Sequence, residues 1–343
     1  MHKISALLLS ALALASCASS GAVTAVPEWA KTKNGVVLVY PNEKYIARRG
    51  RGSDLISAQN NGIAEISRWI TSQVETSQSS RFSLTRRGDE DTVSQQTNEE
   101  TFIRSQTGLF AVRYAPDSWY NKAEGQWETV AYIDRDEAWS IYEPQVRQKA
   151  DTFQNLFQAA ADASGTGEPL RQFFMYSGAL TVFRELEPML EFGEIINPVK
   201  AGVYRTIRAS AAELPLLLDR VTEKAAVFIQ CNSDPYNNVY AALSGILSSH
   251  GFPVQQSRNA SASIFEVVIT ENMSELEAGY FYDPTLTVTV RGKTGVLFTY
   301  TPRIARVSAG KQNPELARRR AYDAAVKEIQ NSFYTEFSQG VVK

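Results

Sequence analysis

Apolar positions change their spacing along the chain, and each change predicts an element. Ile4 to Leu14 form a short apolar run behind His2 and Lys3, but eleven residues fall short of the roughly 20 that a bilayer-spanning helix needs. After a Ser/Gly/Ala stretch reaching Thr24, Val36 to Tyr40 and Lys44 to Ala47 predict short strands, and Arg48-Arg49-Gly50-Arg51-Gly52 reads as a basic glycine turn. Ile56, Ile63, Ile66, Ile70 and Val74 recur at helical spacing, which predicts a helix from about Ser53 to Val74 with Ser53 or Asp54 as its cap. The polar stretch from Glu75 to Thr107 predicts no definite element. Leu109 to Tyr114 and Trp127 to Asp134 alternate as paired strands around a turn at Asn121 to Gly125, and Glu137 to Ala163 follows as a long helix.

The middle is predominantly helical, with Pro169 to about Glu191 and roughly Lys200 to Lys224 separated by Gly193 and Pro198. In the last third, Ala225 to Cys231 predicts a strand. Asp234-Pro235 predicts a helix cap with proline at the first helical position, and Val239, Leu243, Ile246 and Leu247 line one face before Gly251 ends the helix. Phe265, Val267 and Ile269 alternate, as do Leu286, Val288 and Val290. Gly292 to Gly295 turns the chain into Val296 to Thr301. Asn313-Pro314-Glu315 caps a final helix whose stripe is Tyr322, Ile329, Phe333 and Phe337. The expected fold class is α+β: an N-terminal mixed sheet with a long helix, a helical middle, and a C-terminal β-α-β-β-β-α domain with helices on one face of its sheet. The corresponding divisions are a signal peptide at 1–16, a lipidated tether at 17–26, and domains at 27–146, 147–224 and 225–343.

Composition narrows the function classes. Of 343 residues, 43% are hydrophobic and 21% charged, as a core-forming protein requires. Thirty-five basic against thirty-seven acidic residues leave no field to attract nucleic acid. The weakly basic start, short apolar run and following small residues make the pattern of a signal peptide. Its end, Leu14-Ala15-Ser16-Cys17, resembles the bacterial lipobox, in which small residues fit the processing peptidase and the Cys17 thiol carries diacylglycerol. Two or three acyl chains, at roughly 0.8 kcal/mol per buried methylene, anchor a protein stably. Ala18 after the cysteine resembles the pattern sorted to the outer membrane. Cys231 is then without an intramolecular disulfide partner and reads as a small core residue at a strand end.

Pro27-Glu28-Trp29, Tyr45-Ile46-Ala47 before a glycine turn, the helix after it, and Ala131-Tyr132-Ile133-Asp134-Arg135 together resemble the LPP-twenty family of small bacterial outer-membrane lipoproteins over about Pro27 to Val146. The family's usual glycine-x-glycine turn is here stretched to Arg48-Arg49-Gly50-Arg51-Gly52. The C-terminal third is similar in element order to periplasmic α/β domains of envelope lipoproteins that nucleate secretion pores, activate wall synthases or support flagellar rings. Both resemblances imply a scaffold that binds protein or wall, and neither implies catalytic residues.

Candidate chemistry is sparse. His250, the one histidine beyond the signal segment, sits at a helix end, where a cation interacts with the dipole. No histidine triad or zinc cluster can be assembled from it and one thiol. Asp134, Asp136 and Glu137 suit a helix start, and are also the carboxylates that a competing reading as a cell-wall hydrolase would use. Gly292-Lys293-Thr294 reads as a hairpin turn rather than a phosphate loop. Arg48, Arg49 and Arg51 are candidate anion-binding residues, for a lipid headgroup or wall carboxylate, and Arg318-Arg319-Arg320 reads as the wet face of the last helix. The resulting expectation is a non-enzymatic, lipid-anchored outer-membrane protein on the periplasmic side. No cofactor or metal is expected. Its partners are the membrane and unidentified envelope proteins or cell wall, with self-association left open, and a surface-exposed antigen or adhesin is a further alternative.

Overall fold

A computed structural model describes residues 25–82, 112–309 and 313–342. Cys17, its signal segment and most of the polar stretch therefore lie outside the described residues. The chain forms two compact units, one from 1–142 with 191–198 and the other from 143–190 with 199–343.

The first unit opens with two short helices, α1 (Glu28–Lys31) and α2 (Gly35–Val39), where a strand was expected at Val36 to Tyr40. Hydrogen bonds from the Leu38 and Tyr40 amides to the Asn34 and Val36 carbonyls close the turn locally, so its backbone has no need of a sheet partner. Strand β1 (Tyr45–Gly52) runs straight through the five residues expected as a turn. It pairs antiparallel with β4 (Gln126–Asp134) along its full length, Tyr45 opposite Asp134 and Gly52 opposite Trp127. The reason is helix α3 (Leu55–Phe82), which lies on this strand pair. A Cβ on Gly50 would stand 2.0 Å from the Ala58 carbonyl oxygen and 2.4 Å from the Gly62 nitrogen. The glycines are required by close helix-to-strand approach, not by a bend.

On the other edge, β4 takes β2 (Arg113–Tyr114) and β3 (Trp119–Asn121), both antiparallel. This sheet is thus antiparallel rather than mixed, since the tight turn ending at Gly125 (φ +66°) leaves β3 and β4 no other direction. Ala58, Ile66, Ile70 and Val74 of α3 are buried, whereas Ile56, expected on that face, is 70% exposed. Asp54 caps the helix, accepting the Ser57 amide at 2.7 Å.

Helices α4 (Arg135–Thr166) and α5 (Pro169–Ile196) follow, α5 continuing through Gly193. Next come α6 (Pro198–Ala201), a 3-10 turn and α7 (Arg205–Lys224). The second unit's sheet has the order β10-β8-β7-β5-β6 with β9 also on β8. Its strands are β5 (Val227–Asn232), β6 (Val254–Gln255), β7 (Ser263–Leu276), β8 (Gly279–Arg291), β9 (Val296–Tyr300) and β10 (Val307–Ala309). β5 is parallel to β6 and β7, while β7, β8, β9 and β10 are joined antiparallel.

One face of this sheet carries Ile229, Phe265, Val267, Ile269, Leu286, Val288 and Val290. They pack in one core with Val239, Leu243 and Leu247 of α8 (Asn238–Ser249) and with Tyr322, Ile329, Phe333 and Phe337. That last stripe spans α9 (Pro314–Glu328), a π-helical turn (Ile329–Phe333) and α10 (Tyr334–Gly340). Val268, Thr270 and Thr285, on the opposite face, are exposed. The C-terminal unit is therefore an α+β layer with its helices on one side of the sheet. Helix α8 begins three residues later than Asp234-Pro235 suggests, because residues 234–237 make a turn and Asn237 takes φ 55°. Asp234 still serves the helix by reaching forward to the Val239 and Tyr240 amides at 3.0 and 2.9 Å.

Candidate functional site

Because β1 is a strand, its arginines alternate between two faces. Arg49 and Arg51 point away from α3. Arg49 lies over the Trp29 ring at 5.3 Å, donates to the Trp29 carbonyl at 2.8 Å and pairs with the buried Glu128 at 3.3 Å. Arg51 pairs with Glu124 at 3.7 Å and Glu128 at 3.9 Å. Asn121 donates to the same carboxylate at 3.0 Å. These two cations are spent on an internal acid, and an added anion would have to compete with Glu128 for them.

Arg48 faces the helix. Its guanidinium lies 4.7 Å from the centre of the Trp69 ring in α3 and donates to the Ala47 carbonyl at 2.7 Å. Arg135, from the first turn of α4, lies against the same ring at 6.0 Å. It donates to the carbonyls of Asn42 and Ile196 at 2.7 Å and also to that of Ile195, thereby closing the C-terminal end of α5. Burial holds both guanidiniums below their ordinary pKa, and for Arg135 the nearby Arg48 charge adds to the effect. Two half-buried cations thus share one indole and bond to carbonyls, and among the described residues neither forms an ion pair with a carboxylate.

The structure thus separates Arg48 from Arg49 and Arg51 and joins it to Arg135, a residue the sequence did not single out. The signal was present as Arg135 directly following Asp134 at a strand end, but only the strand alternation reveals which arginine it meets. The neighbouring acids are engaged locally: Asp134 accepts the Asp136 and Glu137 amides at 2.9 and 3.1 Å, Asp136 accepts from Asn197 at 3.0 Å, and Glu137 pairs with Arg113 at 2.8 Å.

In the second unit, His250 forms the end of α8. Its Nδ1 lies 2.9 Å from the Ile246 carbonyl and its ring is stacked on Tyr334. The Cys231 thiol, beside Asp234, is pushed up to about 12, chiefly by burial. A thiol so held carries little thiolate at neutral pH. Lys293-Thr294 belongs to the β8–β9 hairpin, where Thr294 donates through both its amide and its hydroxyl to the buried Glu168, at 2.6 and 2.8 Å. Arg318 departs from the expected wet face. It forms a two-pronged pair with Glu271 of β7 at 2.8–3.1 Å, and Tyr322 donates to the same carboxylate.

Among the described residues no group of three or more potential ligands is placed to hold a metal, and no helix is long and apolar enough to cross a membrane. Comparison with protein-family models finds no match, and comparison with curated proteins finds none. Among solved structures, a minor lipoprotein from Acinetobacter baumannii is similar at 13% identity and a TM-score of 0.25, covering 34% of this chain and 94% of that one. The secreted protein HP1454 from Helicobacter pylori is similar at 12% identity and a TM-score of 0.34, covering 84% and 98%. Neither likeness assigns an activity.

Proposed function

We propose that this chain is a non-enzymatic lipoprotein, anchored through Cys17 to the outer membrane and facing the periplasm, which organises the envelope through protein or wall contacts. The observation that carries the reading is Leu14-Ala15-Ser16-Cys17 at the end of a short apolar run. The engagement of Asp134, Asp136 and Glu137 in a helix start supports a scaffold over a hydrolase, since each carboxylate already has a structural partner. The likeness of residues 27–146 to the LPP-twenty family belongs to the same proposal.

In-cell crosslinking followed by mass spectrometry tests it, with Cys17→Ala as the control that lacks the lipid anchor. A recurrent envelope partner, absent in the control, is the expected result. Cleavage of purified wall material that disappears in Asp134→Asn would replace the scaffold with an enzyme.

A further inference from the structure

The first described residues carry an apolar surface that the core does not use. In α2, Val36 packs inward against the cluster around Trp29, while Val37, Leu38 and Val39 are 46, 75 and 42% exposed, and Val26, just before α1, is 42% exposed. This is a fixed feature rather than a loose end. Gly35 is pressed onto α1 so closely that a Cβ there would stand 2.5 Å from the Trp29 carbonyl oxygen, and Trp29 itself is buried and hydrogen-bonded to Asp117 at 3.1 Å. Three adjacent aliphatic side chains are therefore held outward on a rigid knob. Exposed Lys31, Lys33 and Lys44 flank them in the sequence, against the exposed Glu28 and Glu43.

Position identifies the occupant. Val26 lies nine positions after Cys17, so a fully extended tether reaches at most about 30 Å, and a flexible one averages about 17 Å. Anything that acyl chains on Cys17 tie to a bilayer brings this knob to its surface. Exposed aliphatic side chains with lysines before and after them in the chain, of which Lys31 is paired with Glu28, suit anionic headgroups above acyl chains, and such elements sink roughly 5–10 Å into that boundary. We infer that Val37, Leu38 and Val39 form a second membrane contact, which inserts into the leaflet carrying the lipid anchor and fixes the orientation of the N-terminal unit on it. This rests on the anchor reading above.

The test uses full-length acylated protein in vesicles of phosphatidylethanolamine and phosphatidylglycerol that carry a quencher on the upper acyl chain. An environment-sensitive label is placed at Leu38→Cys or, as the control, at Leu216→Cys on the second unit, both in a Cys231→Ala background. The mass of the N-terminal peptide is measured on the same samples. The expected result is an acylated protein whose label at position 38 is quenched several-fold more than at 216. Val37→Asp with Val39→Asp should abolish the difference without removing the acyl chains. In an unacylated Cys17→Ala protein, removing one of the three aliphatic side chains should weaken vesicle binding roughly tenfold. Acylated protein with equal quenching at 38 and 216 would overturn the second contact while leaving the anchor standing. An N-terminal peptide without acyl chains would overturn the anchor and the contact with it.

Discussion

At the scale of single residues, the glycines and charges of β1 decide the first unit. Gly50 lies under the backbone of α3 on two sides, at Ala58 and Gly62, so Gly50→Ala forces backbone rather than a flexible side chain to move. A loss of about 1–3 kcal/mol is expected, measured as a lower denaturant midpoint with an unchanged slope. Arg49→Ala removes the nearer cation from the almost completely buried Glu128, leaving it Asn121 and the more distant Arg51. The usual cost of breaking such a pair is about 3–5 kcal/mol, whereas Arg48→Ala, which leaves no acid behind, should cost clearly less.

In the second unit, Glu271 is raised by burial, but bonds from Arg318 and Tyr322 outweigh that and hold it below the ordinary carboxylate value of 4.5. Its contribution is therefore complete above that value and is lost as pH falls through the lower folded value. Glu271→Gln should cost about 1–2 kcal/mol at neutral pH, with the two stability curves converging in strong acid. None of these pairings could be read beforehand. The residue types at 48 to 52 suggested a turn because two glycines among arginines look like one, and the steric demand of a helix crossing a strand is not written in local composition.

At the scale of elements, amphipathic periodicity was the legible part. Tyr322, Ile329, Phe333 and Phe337 were expected on one stripe and lie buried on the sheet, although a π-helical turn interrupts the helix between them. Phe337 touches the rings of Phe174, Phe265, Phe298 and Phe333, so Phe337→Ala should cost about 3–5 kcal/mol, read by thermal or denaturant unfolding. Phe265, Val267 and Ile269 alternate as expected and are buried in the same core. Elements too short for a period were missed: β6 and β10 are two and three residues long, and they exist because longer strands offer them an edge. The valine-rich segment at 36 to 39 was misread as a strand for the opposite reason. β-branched composition suits a sheet only where a neighbouring strand is available, and here the backbone closes on itself.

At the scale of the whole molecule, the α+β class and the one-sided C-terminal sheet follow from patterns present in the sequence, because alternation and helical stripes both report which face is covered. The candidate site was only partly legible. Arg48 was singled out in the sequence, but Arg135, which shares the Trp69 ring with it, lies 87 positions away and is brought to it by strand pairing and by the start of α4. Function at this scale turns on the covalent state of Cys17, which decides whether the two units work at a membrane surface. The most direct measurement is the intact mass of the N-terminal peptide from protein extracted from bacterial membranes. A lipid-anchored protein should begin at Cys17 and carry the mass of a diacylglycerol with or without a further acyl chain. A peptide beginning elsewhere, or an unmodified Cys17, would contradict the anchor and the membrane-based function built on it.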